Sequence, residues 1–467
     1  MSEQDIMPVE KMIRAGFPRV AIDAFERNYR FLCSGRRSDI PEDVIEPVSK
    51  VMDYCSLPDP EQGCMGDLLE KTVVIKLNGG LGTSMGLQQA KSLLEVRDGI
   101  NFLDMIARQV IAVRGKSGRR VRFLLMNSFS TSEDSLSHLA GHPELAGNDD
   151  YEILQSQVPK IDALTLGAVR HSANPQLEWC PPGHGDIFPA LLSSGWLDDL
   201  LAQGVTYAFI SNCDNLGATL DFKLLHEFAS SGRPFLMEVT ERSEADNKGG
   251  HVARMKDTER LVLRESAQCP KEDVGYFQDI SRHRFFNTNN LWLRLDLLKG
   301  ILDTVGGVLP LPVIVNRKTV NPRDPESLPV IQLETAMGAA IGCFEDAELV
   351  VVPRARFAPV KNTNDLFAMR SDAYVMSEDA RLSLAPERNG IPPIVDLDKS
   401  YYRYIDQLNH AIPHGSPSLI NCERLQVSGP VCFDGASVFS GCVKILNKGS
   451  KKALLSAGTY EDETILL

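Results

Sequence analysis

Short apolar runs recur between Lys71 and about Arg356, several ending abruptly in asparagine, aspartate or glycine. Val73–Leu77, Val121–Met126, Thr206–Ser211, Phe235–Val239 and Leu349–Val352 have the length and composition of buried strands. Helix-length patterning over Phe102–Val113 and Phe222–Ser230 separates some of them. The alternation predicts an α/β domain over residues 66–356 with a mainly parallel sheet, whose ligands gather at the carboxyl ends of its strands. Upstream, residues 1–65 carry mixed charge and helical patterning around Val20–Leu32, broken by Pro18 and the Ser56–Gly63 stretch, which predicts an N-terminal helical segment. Downstream the period changes. Val427, Phe433, Phe439 and Ile445 recur every six residues, with Gly429, Gly435 and Gly441 in step two positions later. A six-residue period fits neither helix nor hairpin; it predicts a short parallel β-helix over about 415–467, within a C-terminal domain of residues 357–467. The open end of such a coil is an expected surface for homo-oligomer formation.

Composition narrows the function classes. A chain of 467 residues exceeds one ordinary core and implies two or three domains. The formal net charge of -13 argues against nucleic-acid binding, so any phosphate site must gather its cations locally. No apolar run has the length of a membrane span, and the opening residues MSEQDIMPVEK lack the apolar core of a signal peptide, so a cytoplasmic protein without a membrane partner is expected. The ten cysteines are scattered without a C-x-x-C pair or a Cys/His cluster, so neither a zinc site nor a disulfide framework is expected, and most read as reduced, small core residues.

The richest local chemistry lies in Thr72–Val96, where an apolar strand empties into a glycine-rich turn and Lys91 follows eleven residues after Gly80. Gly79, Gly80 and Gly82 permit positive φ and close backbone approach to a ligand. Exposed N–H groups there, with the positive end of a following helix, favour anions. Two familiar glycine motifs fail on spacing. Gly86 is followed by Leu87 rather than lysine, and Gly80, Gly82 and Gly86 give G-x-G-x-x-x-G rather than G-x-G-x-x-G. A tight turn without a ligand is the plain alternative.

Four further segments carry candidate groups, each with an ordinary use beside the functional one. WCPPGHGDIF sets His184 between glycines, near a phosphate or base, or simply in an irregular turn. ISNCDNLGA ends a strand at Asp214, a hard-oxygen ligand for Mg²⁺ or a helix cap. FNTNNLWL places three asparagines in an apolar strand, fitted to sugar hydroxyls or to a buried amide network. VPRARFAPVK brings three cations within eight residues and ends in Lys361, inviting an anion where single cations are usually solvated.

LNGGLGTSMG, PPGHGD, SNCDNLGA, KGG at Lys248–Gly250, FNTNNLW, VIQLETAMGAAI and VPRARFAPVK together resemble the successive signature segments of the eukaryotic-type UTP:glucose-1-phosphate uridylyltransferases, the UDP-glucose pyrophosphorylases. They run in the family's order from about residue 72 to 361, and the hexapeptide tail is similar to that family's C-terminal β-helix. The resemblance implies a Rossmann-like, GT-A-like nucleotidyltransferase with a mixed sheet flanked by helices, then a left-handed parallel β-helix. It implies reversible formation of UDP-glucose and pyrophosphate from UTP and glucose 1-phosphate, with Mg²⁺. By matching position, Leu77, Asn78, Gly79 and Gly80 meet the uracil and ribose, with Met126, Gln155, Gly183, His184 and Asn212 beside the nucleotide. Asp214 holds Mg²⁺; Gly250, Glu265, Asn287 and Asn289 hold the glucose; Lys91 and Lys361 neutralise phosphate charge. Gln89-Ala90 replaces the family's usual Gly-Pro before the loop lysine, which bears on rate and affinity more than on reaction class. A UDP-N-acetylhexosamine pyrophosphorylase matches LNGGLGTSMG and FNTNNLW less well. A broad-specificity UDP-sugar pyrophosphorylase and a non-catalytic nucleotide-sugar-binding protein stand as alternatives.

Overall fold

The computed structural model describes residues 7–60, 65–146, 151–243, 246, 249–322, 324 and 326–467. Two helices lead, α1 (Pro8–Arg14) and α2 (Arg19–Cys33). α2 buries Ala21, Ile22, Phe25 and Tyr29 against Val158, Ile161, Ile331 and Leu333. The same N-terminal segment then contributes β1 (Ile45–Pro47) and β2 (Met52–Asp53) to the main sheet.

The remaining strands and flanking helices that position the site are β3 (Thr72–Asn78), α3 (Phe102–Ser117), β4 (Arg122–Asn127), α4 (Ser132–Leu139), β5 (Glu152–Leu154), β6 (Tyr207–Asn212), α5 (Phe222–Ser231), β7 (Phe235–Glu241), β8 (His251–Met255), β9 (Leu261–Arg264), β10 (Phe285–Arg294) and β11 (Glu348–Val351). The sheet runs β2-β11-β7-β10-β6-β3-β4-β5, with β1, β8 and β9 attached beside β10. β6, β3, β4 and β5 are parallel neighbours, and so are β7, β11 and β2. β10 runs antiparallel to both β6 and β7, so the sheet is mixed rather than mainly parallel. Alternation of side chains explains why so many strands are apolar throughout. Val73, Ile75 and Leu77 of β3 enter the core on one face while Val74 enters the other, and Ala208 and Ile210 of β6 oppose Phe209 in the same way.

The C-terminal part packs a third core around Phe367, Leu425, Phe433 and Phe439. Tyr374–Met376 and Leu382–Leu384 form a separate antiparallel pair, and the remaining strands, β12 (Ile394–Leu397), β13 (Ser418–Ser428), β14 (Val431–Phe433), β15 (Ser437–Leu446), β16 (Ala453–Leu455), β17 (Gly458–Glu461) and β18 (Thr464–Leu466), all pair in parallel. Val427 lies opposite Ile445, Phe433 opposite Leu455 and Phe439 opposite Tyr460. The first pairing is three six-residue steps long; the other two are longer, because the Lys448–Lys452 turn intervenes. Met85, Leu94 and Val96 belong to this same core, which therefore braces the outer side of the glycine loop. Among the described residues no helix is long and apolar enough to cross a membrane.

Candidate active site

β3 carries the chain to the carboxyl edge of the sheet, where Leu77 and Asn78 end it. The Asn78 amide is spent on the wall of the site, donating at 2.7 Å to Asn127 Oδ1 and at 2.7 Å to Ser135 Oγ. No α-helix follows directly. Two short 3₁₀ turns, Thr83–Met85 and Lys91–Leu93, take its place, so the anion preference expected from a helix terminus is absent and Lys91 must supply the charge. Positive φ falls at Gly82 and Gly86 (64° and 81°) rather than at Gly79 or Gly80. Gly79 is needed for space instead, since a Cβ there would sit 2.7 Å from Gln155 Oε1. The loop closes where the Lys91 N–H donates to the Gly80 carbonyl at 3.0 Å.

Leu77, Asn78, Gly79, Gly80, Lys91, Met126, Gln155, Gly183, His184, Asn212 and Asp214 all line one cleft of about 710 Å³. The structure thus gathers the whole predicted nucleotide set. Gln155 Nε2 donates to the Gly183 carbonyl at 2.8 Å, and Ser128 Oγ to the Gly79 carbonyl at 2.9 Å, tying three walls together. His184 Nδ1 accepts the Met337 N–H at 3.0 Å, which leaves the ring proton on Nε2. Burial lowers the imidazole to about 4 against a weaker upward pull from Asp214, so it is neutral near pH 7. Two residues on, Asp186 Oδ2 accepts the Ser156 N–H at 2.7 Å, and burial pushes this carboxyl up to about 7.

Asp214 ends the loop after β6. Its Oδ2 accepts Lys91 Nζ at 2.6 Å, so the loop cation and the candidate metal ligand are already paired. Its carbonyl accepts the Val360 N–H at 3.0 Å, which fixes the neighbour of Lys361. Lys361 itself lines an adjoining cleft of about 400 Å³ rather than the nucleotide cleft. Its Nζ lies 5.6 Å from the ring centroids of both Phe286 and Phe357. The expected three-cation cluster is not one. Arg356 is buried and donates twice to Glu238 at 2.7 Å, and Arg354 donates to Asp246 at 2.7 and 3.0 Å. In a sequence the three cations look alike; carboxylates from β7 and its following loop consume two of them.

The sugar set lies beyond Phe286. Asn287 and Asn289 hydrogen-bond each other, Asn287 Nδ2 to Asn289 Oδ1 at 2.9 Å, with Asn289 at φ 58° beside a register shift between β7 and β10. Asn290, the third asparagine, turns the other way and donates to Glu238 at 3.0 Å, so the amide-network reading holds for that residue. Gly250 faces Glu265 so closely that a Cβ would approach Oε2 to 2.5 Å. Burial pushes the Glu265 carboxyl up and the Lys361 charge pulls it back, placing the two within electrostatic reach. Lys248 of the KGG motif lies outside the described residues. The Met337–Gly338 segment links both sets: Met337 donates to His184, and a Cβ on Gly338 would meet Asn287 Nδ2 at 2.7 Å. VIQLETAMGAAI signalled that segment without assigning it a role. Glu334 of the same motif lines the larger cleft, as do Ser128, Lys160 and Lys318, which no local motif marks.

The residues present fit a single Mg²⁺ carboxylate: Asp214 offers a hard oxygen beside Lys91, and Mg²⁺ habitually takes one or two carboxylates plus substrate phosphates and water.

Comparisons with known proteins converge on one group. The family model described as UTP–glucose-1-phosphate uridylyltransferase matches residues 22–439. The enzyme of that name from Solanum tuberosum is 37% identical over 421 residues, covering 90% of this chain and 84% of its own length. That from Saccharomyces cerevisiae is 39% identical over 399 residues, covering 85% and 78%. A variant of the Leishmania major UDP-glucose pyrophosphorylase, solved in complex with UDP-glucose, superposes with a TM-score of 0.93 at 45% identity over 98% of each chain. The Trypanosoma brucei UDP-glucose phosphorylase gives 0.92 at 46% identity over 98% of each. With its glycine loop, nucleotide cleft and adjoining sugar-side groups assembled on this sheet, the chain belongs to the UTP–glucose-1-phosphate uridylyltransferase family.

Proposed function

We propose that this chain transfers the uridylyl group of UTP to glucose 1-phosphate, releasing pyrophosphate and forming UDP-glucose, in a reversible exchange. The observation that carries this reading is the double link of Asp214, whose carboxylate holds Lys91 and whose carbonyl holds the segment leading to Lys361. A phosphate oxygen of glucose 1-phosphate attacks the α-phosphorus of UTP. The bond between that phosphorus and the oxygen bridging to the β-phosphate breaks, and pyrophosphate leaves. The nucleophile is already anionic, so no residue need remove a proton; the chain contributes positioning and charge neutralisation.

Gln155 and the Leu77–Gly80 backbone hold the base and ribose. Lys91 balances the triphosphate, and Lys361 stands at the seam between nucleotide and sugar sides, where incoming and leaving phosphates meet. Glu265, Asn287, Asn289 and the bare backbone of Gly250 receive the glucose hydroxyls. Asp214 would hold Mg²⁺, which when bound neutralises charge on the reacting phosphates.

The C-terminal stack is read as a short left-handed parallel β-helix, supported by the return of Val427 onto Ile445 after eighteen residues. Its last strand leaves Leu466 exposed, which favours self-association there; scattering-derived mass is the check.

The deciding assay measures pyrophosphate release from UTP and Mg²⁺ with glucose 1-phosphate, galactose 1-phosphate and N-acetylglucosamine 1-phosphate in parallel. Preference for glucose 1-phosphate is expected. Equal use of several sugars would move the assignment to a broad UDP-sugar enzyme, and UTP binding without release would make the chain a nucleotide-sugar binder.

A further inference from the structure

Away from both clefts, three metal-ligating side chains converge where α3 begins and α4 ends. Asn101 caps α3, its Oδ1 accepting the Asp104 N–H at 2.8 Å while Asp104 Oδ2 accepts the Asn101 N–H at 3.1 Å. The reciprocal cap uses only one carboxylate oxygen of Asp104. The other, Oδ1, faces two imidazoles: His138 Nε2 at 2.8 Å, from the last turn of α4, and His142 Nε2 at 2.8 Å, from the turn just beyond it. Among the described residues this is the one group of three histidine, cysteine or carboxylate side chains whose ligand atoms all lie within 4.8 Å of one another, and all three residues are partly buried.

Ordinary hydrogen bonding accounts for this arrangement incompletely. His138 Nε2 also lies 3.0 Å from Asn101 Nδ2, and the cap fixes that amide's orientation because its oxygen is already in use. If His138 Nε2 carries the proton, it donates to Asp104 but sets N–H against the amide N–H. If it does not, it accepts from Asn101 but sets its lone pair against the carboxylate. A single proton cannot satisfy both contacts. A cation replaces the proton in the His138–Asp104 contact, drawing on the lone pairs of both imidazoles and the carboxylate together, and requires the Asn101 N–H to move off His138 Nε2, whose lone pair the ion then occupies.

We propose that Asp104, His138 and His142 form a binding site for a divalent transition-metal ion of the zinc class, separate from the phosphate-side Mg²⁺. Two imidazole nitrogens and one carboxylate oxygen are a borderline donor set, suited to Zn²⁺, Co²⁺ or Ni²⁺ rather than Mg²⁺, and they leave a fourth position to water. Tetrahedral bonds of about 2.0–2.1 Å place neighbouring ligand atoms about 3.3 Å apart. The two 2.8 Å contacts to Asp104 need to open by about half an ångström to reach that spacing, and the two imidazole nitrogens already lie within 4.8 Å of each other. The ion would pin α4 to α3. α4 also carries Ser135, which holds Asn78, and the preceding Ser128 and Ser130 line the nucleotide cleft, so the clamp stands directly behind the wall that contacts the base.

The test titrates chelator-treated, full-length protein with Zn²⁺ by calorimetry in the presence of excess Mg²⁺, and with Co²⁺ by visible absorption, which reports a four-coordinate nitrogen–oxygen environment. One equivalent per chain is expected, weakened at least about tenfold in His142→Gln and again in His138→Gln, with the Co²⁺ bands lost in both. Melting curves in chelator establish that each variant is folded before it is titrated. Absence of saturable binding by the wild-type protein overturns the site, and so does binding that is unchanged in both folded variants.

Discussion

The Val360 N–H donates to the Asp214 carbonyl at 3.0 Å, so the segment that ends in Lys361 is laced by main chain to the segment that ends β6. Asn215 strengthens the seam, its Oδ1 accepting the Ala358 N–H at 2.9 Å. Two loops from opposite ends of the chain's chemistry thereby move as one. The backbone positions from which Lys361 and Asp214 project are held in register by these bonds.

Lys361→Ala is therefore expected to remove charge without disturbing the frame. The Lys361 main-chain N–H still donates to Asp365, and the side chain's contacts are the faces of Phe286 and Phe357. Turnover should fall by roughly 10²–10³-fold, the scale of one lost charge-stabilising group, while the melting temperature stays near that of the parent. Parental kcat in this variant would remove Lys361 from the chemistry.

Glu238 tests the frame itself. It is fully buried on β7 and receives Arg356 Nε and a second Arg356 nitrogen at 2.7 Å, Asn290 at 3.0 Å and Trp292 Nε1 at 3.0 Å. Glu238→Ala leaves the buried Arg356 with the Thr219 carbonyl at 3.0 Å and Asp221 at 3.6 Å, and should cost up to about 3–5 kcal/mol of folding free energy. The isosteric Glu238→Gln should lose less. Denaturant midpoints check both; a Glu238→Ala midpoint equal to the parent's would show that Arg356 finds water or another partner.

Legibility of the sequence follows the range of the information. The buried strands around β3, the helices Phe102–Ser117 and Phe222–Ser231 and the return of Val427 onto Ile445 after eighteen residues were readable because each depends on local periodicity. Strand direction was not. β10 reads as one more apolar run, and nothing within Phe285–Arg294 says that it lies antiparallel between β6 and β7. The predicted residues that line the larger cleft were legible through co-linear motifs, except Met126 and Gln155, which lie outside every motif and came only from matching position. Missed features were those decided by long-range pairing: Arg354 and Arg356 spent on Asp246 and Glu238, Asn290 turned into that network, and Lys160 and Lys318 brought to the cleft without a motif.

Asp186 should make stability depend on pH. Burial raises its carboxyl to about 7 in the folded protein against an ordinary value of 3.8, so the folded state binds this proton more tightly than the unfolded chain does. The contribution is fully present below about pH 4 and is lost as pH rises through about 7. Asp186→Asn, which can still accept the Ser156 N–H, should flatten the fall in melting temperature between pH 5.5 and 8. Parallel wild-type and variant slopes would count against a protonated Asp186.

His184 should leave the neutral-pH rate profile untouched. Its imidazole is lowered to about 4 by burial and is uncharged throughout pH 6–8, where it works by accepting the Met337 N–H. His184→Ala is expected to raise the KM for UTP and to keep the same profile shape. A kinetic limb near pH 6–7 that vanished in the variant would make the imidazole a general acid or base instead.

Gly79→Ala separates the two substrates. Gly79 has no positive φ, so alanine meets no backbone strain; the added carbon collides only with Gln155 Oε1, 2.7 Å away at the far end of a flexible side chain. Gln155 can yield, but only by giving up the 2.8 Å bond from its Nε2 to the Gly183 carbonyl and leaving the place proposed for its contact with the base. One neutral hydrogen bond lost from Gln155 to the proposed base is worth about 0.5–1.5 kcal/mol, so the KM for UTP should rise several-fold, with a small fall in melting temperature from the lost Gln155–Gly183 bond. The KM for glucose 1-phosphate should hold, because Glu265, Asn287 and Asn289 lie beyond Phe286 and share no contact with Gly79. Equal rises in both KM values would mean that the glycine loop shapes the sugar side as well, and that the two clefts are one site in function.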